Sequence, residues 1–284
     1  MKIKKILLSI IMVSLILITS ISNISAENPF KAGVSVKYTH SSNNRLDVSG
    51  YSVVEVVNIG KLEVRKIKRD ILSTNFKLSY FKPEYSVEVV IPYIYQRESI
   101  IKYADTTEEG EPTEELNYAN GLGDVMLNFQ KSIFSNNQHL NFGIKTTTGN
   151  SNNSNINFGT GHYGVKIGYS HFKQNDPVVF FGSINYFHNI ENNGVNPGDT
   201  INYSVGAAYA LTQTLSINTR LEHSITSSLY QNDNKIIGSN INSAKLYLNT
   251  SYVNNNSELD FSLGIGLTED SPDFSIQINK PYYF

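Results

Sequence analysis

The stretch FSIQINKPYYF, residues 274–284, alternates apolar and polar side chains almost without interruption. Phe274, Ile276, Ile278, Tyr282 and Phe284 share one phase, and Ser275, Gln277, Asn279 and Tyr283 share the other. Only Lys280 breaks the apolar phase. A period of two is the signature of a β-strand, whose side chains point alternately to opposite faces. Termini fray unless something holds them, so an alternating strand that runs to an aromatic last residue implies a partner strand. Pairing of the last strand with the first would close a barrel and leave no backbone group unsatisfied in hydrocarbon.

The same alternation recurs along the chain. ELDFSLGIGLTE (258–269) sets Leu259, Phe261, Leu263, Ile265 and Leu267 against Asp260, Ser262, Gly264, Gly266 and Thr268. INYSVGAAYAL (201–211), LSINTRLEH (215–223) and HYGVKIGYSHF (162–172) repeat the pattern. A soluble sandwich would fill its polar face with Lys, Glu and Thr. Here Gly, Ser and Asn dominate that face, which suits a curved sheet around a wet interior. The connections alternate as well. Short links at 82–84, 135–138, 173–176, 212–214 and 253–258 are separated by longer ones at 97–120, 149–161, 191–199 and 226–242. The link at 268–272 is the shortest of the second set. Short periplasmic turns and longer outer loops are the habit of transmembrane barrels.

The expected fold is therefore all-β: a transmembrane antiparallel up-and-down β-barrel. Its strands are placed at 32–40, 71–81, 85–97, 122–134, 138–149, 161–172, 177–190, 200–211, 214–224, 242–252, 257–267 and 273–284. That makes twelve, each long enough for a tilted crossing of about 9–11 residues. YSVVEVV (51–57) and KLEVRKIK (61–68) offer an extra hairpin, so parity also admits fourteen.

Residues 1–26 read as a signal peptide: Lys2, Lys4 and Lys5, an apolar run from Ile6 to Ile18, and Ile24 and Ala26 suited to cleavage before Glu27. The barrel domain is then 27–284, exported to the outer membrane of a Gram-negative bacterium. The chain has no cysteine, which excludes disulfide scaffolds, thiolate metal sites, thiol nucleophiles and a lipoprotein anchor. With 23 basic and 25 acidic residues, charge balance offers nothing to nucleic acid. The six histidines (His40, His139, His162, His171, His188, His223) form no ligand cluster, and His223 and Ser224 point to opposite faces of their strand. No catalytic constellation, cofactor or metal site is expected.

The charges that fall on the polar phase are Lys37, Lys77, Glu88, Lys145, Lys166, Arg220, Glu222, Lys245 and Asp260. In hydrocarbon each would be costly, and their phase directs them to the lumen. They are candidates to line a solute path or to brace the barrel with internal salt bridges. The acidic run TTEEGEPTEE (106–115) reads as a solvated outer loop, and KLEVRKIKR (61–69) as a weak candidate for phosphate-bearing lipopolysaccharide. Tyr282 and Phe284 are expected in an aromatic girdle at the periplasmic interface. Phe284 also resembles the terminal signal by which the barrel-assembly machinery recognises outer-membrane proteins.

Four segments occur in order: SYFKPEYSVEVVIPYIYQRE (79–98), NGLGDVMLNFQKSIF (120–134), GIKTTTGN (143–150) and NDPVVFFGSINYFHN (175–189). Together they resemble the outer-membrane transporter family linked to meta-pathway phenol degradation. The likeness lies in Gly121 to Asp124 opening one strand, Asp176 to Val179 opening another, and Pro92–Tyr93 late in a third. Phe81 and Thr147 depart from it, where Gly and Pro are usual. The resemblance implies a barrel passing small hydrophobic or aromatic solutes, embedded in outer-membrane lipid and lipopolysaccharide. Two other functions remain open: a plugged structural or surface-interaction barrel, and a lipid-modifying barrel enzyme.

Overall fold

The structure, a computed structural model, describes residues 29–43, 65–102, 113–150, 156, 158–254 and 257–283. The expected signal peptide, the YSVVEVV stretch, most of the acidic run and Phe284 lie outside the described residues. The wall is built from β1 (Phe30–Asn43), β2 (Arg65–Phe81), β3 (Tyr85–Lys102), β5 (Met126–Ile133), β6 (Ser135–Lys145), β7 (Gly164–Asn175) and β8 (Val178–Asn189). It continues with β10 (Thr200–Ala210), β11 (Leu215–Thr226), β14 (Ile241–Asn254), β15 (Ser257–Gly266) and β16 (Phe274–Tyr283). β4 (Thr113–Leu122) is an extra strand on β3. The short β9 (Val195–Asn196), β12 (Tyr230–Gln231) and β13 (Asn234–Lys235) form a small separate sheet among the long connections.

Each wall strand pairs antiparallel with its chain neighbours, and β1 pairs with β16 from Lys31↔Tyr283 to His40↔Phe274. That seam closes a twelve-stranded barrel. β1 also pairs directly with β2 from Phe30↔Tyr80 to Asn43↔Ile67, so no further hairpin stands between them in the wall. The fourteen-strand alternative is thereby excluded.

Two segments expected as loops are strand. β2 begins at Arg65 rather than 71, and β3 runs on to Lys102, where β4 returns along it from Lys102↔Thr113 to Tyr93↔Leu122. These hairpins extend past the apolar band. There both faces carry polar side chains, Arg69 and Glu98 on one and Asp70 and Arg97 on the other, so the period that marks the wall is lost.

The apolar phase lies on the outside. Leu78, Val205, Ile184 and Leu248 are 60, 59, 53 and 52% exposed, and the last three sit mid-strand. A soluble sheet would bury such residues, whereas a lipid-facing wall presents them to acyl chains. At the end that carries the long connections, this outer face turns polar in a repeated way. Tyr38 and His40 of β1 both bond Asp70 of β2, at 2.7 and 2.8 Å. Tyr186 and His188 of β8 both bond Asp199, at 2.5 and 2.8 Å. Such amphipathic rings suit headgroup depth. Burial opposes ionisation of Asp199, but hydrogen bonds from Tyr186 and His188 outweigh it and hold its pKa below the ordinary carboxylate value.

At the opposite end, Tyr282 keeps the outward phase beside Ala32 but is only 6% exposed. It is packed into the seam rather than spread over the surface. The seam is tied on its other face by Lys31, which donates to Glu258 at 3.4 Å and to the Tyr283 hydroxyl at 2.9 Å. Tyr283 in turn donates to Glu258.

Candidate functional site: the concave face of the barrel

All nine charges assigned to the polar phase sit opposite the lipid-facing one, and their partners show that this face is concave. Lys37 on β1 lies within Coulomb range of Lys245 on β14 and of Glu222 and Arg220 on β11. Those strands stand three and four places away around the wall, roughly 14–19 Å along the sheet at about 4.8 Å per strand. Only inside a closed wall do side chains so far apart converge.

The nine residues fall into separate groups. Glu88, Asn128, Gly143 and Lys166 stand in one row across β3, β5, β6 and β7. Lys166 donates to the Asn128 amide oxygen at 2.7 Å, and the Asn128 amide donates to Glu88 at 3.4 Å. The lysine reaches over Gly143, where an added Cβ would meet its Cε at 2.9 Å. A glycine therefore opens the way for this link. A second group is Lys37, Arg220, Glu222 and Lys245. Arg220 lies 3.8 Å from Glu222 and 4.8 Å over the Tyr247 ring, while Glu222 faces Lys245 in register. Asp260 stands apart and accepts from Ser251 at 2.7 Å and Asn279 at 2.8 Å. Lys77 faces Gly33 across β1 and β2.

Lys145 belongs to a knot that sequence reasoning did not assemble. β4 and β5 lie end to end along β3, interrupted at 123–125, and Gly123 donates its N–H to Pro92 O at 2.9 Å. A Cβ on Gly123 would stand 2.9 Å from the Pro92 ring, so only glycine lets the chain turn there. The break points Asp124 at the following connection. Its carboxylate accepts from Gly149 N–H at 2.9 Å, from Thr160 N–H at 2.9 Å and from the Thr160 hydroxyl at 3.2 Å. Thr146 and Thr148 bond the backbone of Val125 at 3.0 and 2.9 Å. Lys145 completes the knot, donating to Thr160 at 2.6 Å and to Asn189 at 3.0 Å. A segment of the 146–163 connection is thus held against the concave wall. Pro92, Gly123–Asp124, the 145–149 stretch and Asn189 each come from one of the four segments that carry the family resemblance. Their presence in those segments was the available signal; their meeting was not visible.

Aromatic side chains occupy the space that concave-face glycines leave. A Cβ on Gly206 would lie 2.4 Å from the Phe181 ring, and one on Gly264 would lie 2.7 Å from Tyr247. Covering strand glycines with cross-strand aromatics offsets the stability they would otherwise lose. Among the described residues no three His, Asp or Glu side chains gather into a metal-binding group.

Comparison with known proteins agrees with this geometry. A family model described as "Putative MetA-pathway of phenol degradation" matches residues 57–279. Among solved structures, an outer membrane channel from Pseudomonas putida F1 aligns over 93% of this chain and 100% of its own, at 15% identity and a TM-score of 0.63. The toluene transporter TodX of P. putida aligns over 91% of this chain and 93% of its own, at 9% identity and a TM-score of 0.48.

Proposed function

This chain belongs to the phenol-degradation-pathway family named by that model, and from that premise we propose that it is an outer-membrane channel passing small hydrophobic or aromatic solutes. The observation that carries the reading is the inversion of the wall: apolar side chains outside, and a hydrogen-bonded, charged face inside a closed barrel. Such a wall belongs in lipid with a polar interior. The fold it shares with an outer membrane channel supports the same reading. Residues 1–26 then direct export, and the barrel-assembly machinery inserts the chain among outer-membrane lipid and lipopolysaccharide. The nine concave-face charges line the solute path, with Asp124 and Lys145 holding a loop segment over part of it. Binding without turnover is the expected chemistry.

The test is planar-bilayer conductance of the refolded mature chain, together with uptake of a neutral aromatic such as benzyl alcohol into proteoliposomes. Current and accelerated uptake support the channel. Absence of both overturns it in favour of a plugged barrel.

A further inference from the structure

We infer that Lys37, Arg220 and Lys245 form an anion-binding station on the concave face, so that the preferred solutes carry a negative charge, aromatic carboxylates foremost. The inference rests on the channel reading and names the charge class of its solute.

Most other cations on this face are matched by an acid. Lys31 pairs with Glu258 at 3.4 Å and Arg69 with Glu98 at 2.5 Å. Lys166 reaches Glu88 through Asn128, and Lys145 reaches Asp124 through Thr160. The cluster around Lys37 is different. It brings three cations, Lys37, Arg220 and Lys245, against the single carboxylate of Glu222. The acid on β15, Asp260, stands apart and is engaged by Ser251 and Asn279. A local excess of two positive charges therefore faces the interior.

Two further features fit an anion. Arg220 has a buried Nε with no hydrogen-bond partner among the described residues. The Arg220 side chain as a whole is 37% exposed, and a carboxylate or phenolate is the acceptor that its outer guanidinium nitrogens bind with most energy. The guanidinium is also fixed 4.8 Å over Tyr247, a ring only 5% exposed, so its orientation is set in advance. Beside it, Lys37 and Lys245 line one recess with Tyr247, Gly264, Gly266 and Ser275. A net positive district in a low-dielectric passage concentrates anions and repels cations.

The experiment measures reversal potential across a planar bilayer in a KCl gradient, and then uptake of benzoate against benzyl alcohol into proteoliposomes. The wild type is expected to pass chloride in several-fold preference to potassium and to take up benzoate faster than the neutral alcohol. Lys37→Gln with Lys245→Gln should abolish both preferences, and Lys37→Glu with Lys245→Glu should reverse the ionic one. The outward-facing Lys173→Gln should change neither. Heat-modifiable migration checks folding; if the double variants do not fold, the single Lys37→Gln variant is expected to show a partial loss of preference. A conducting wild type indifferent to charge overturns this inference alone, as does an anion preference that survives the folded lysine variants. A wild type with neither current nor uptake overturns the channel reading and this inference with it.

Discussion

Replacing Val205 with arginine tests the membrane assignment at a highly exposed position in the middle of a wall strand. Val205 is the sixth of eleven residues in β10 and is 59% exposed. Ten residue steps at about 3.3 Å make a strand of roughly 33 Å, and a tilt near 40° projects it to about 25 Å, the height of the apolar band. Val205 therefore lies close to the bilayer midplane. Its cross-strand neighbours, Gly182 and Leu221, offer no counter-charge. Arginine at that depth costs about 2–4 kcal/mol, a shift of roughly 30- to 1000-fold in the folding equilibrium. The adjacent Ser204 points to the concave face, where its hydroxyl lies 2.9 Å from that of Ser183. Ser204→Arg forfeits that bond, about 0.5–1.5 kcal/mol, while the polar interior solvates the new charge. Urea unfolding of both variants, refolded into identical vesicles, measures the gap directly. Equal costs, or a larger cost for Ser204→Arg, would refute the assignment of faces. A soluble sheet packed on its apolar side would also suffer from Val205→Arg, so the wild type must additionally fold in vesicles or detergent and fail to fold in plain buffer.

Cysteines introduced at Asn193 and Gln231, among the long connections, should label on intact cells, while one at Gln213 in a short turn should not; the reverse pattern would invert the barrel. Asp124→Ala strips the acceptor from Gly149 and Thr160 and should cost about 2–3 kcal/mol in urea unfolding. Asp124→Asn, which keeps one carbonyl oxygen, should cost less, and equal losses would show that the carboxylate is not what holds the segment. Asp199 has a depressed pKa, so its contribution to stability is present above the ordinary carboxylate value near 4 and fades as pH falls through its folded-state pKa. Thermal unfolding of Asp199→Asn should fall below wild type at pH 7 and converge with it as pH drops below the folded-state pKa of Asp199; an offset constant with pH would remove the Tyr186–His188–Asp199 contact as its source.

Much of the wall was legible in the sequence because lipid on one side and water on the other impose a period of two. Segments such as 200–211 and 257–267 correspond closely to β10 and β15, and the alternation of short and long links gave the up-and-down order. The 65–70, 98–102 and 113–119 stretches escaped because their strands stand beyond the apolar band, where both faces carry polar side chains and no apolar–polar period is enforced. The phase of a strand also sends a charge inward without saying which others it meets. Lys166 reaches Asn128 because Gly143 lies between them, and Lys37 meets Arg220 across a barrel whose circumference no local pattern encodes. Asp124 joins Gly149 and Thr160, 25 and 36 residues away, only once β5 and β6 have paired. Alternation is a local property, fixed by the solvent on each face of a strand. Convergence of charges on the concave side is set by closure and register, which only the tertiary structure decided.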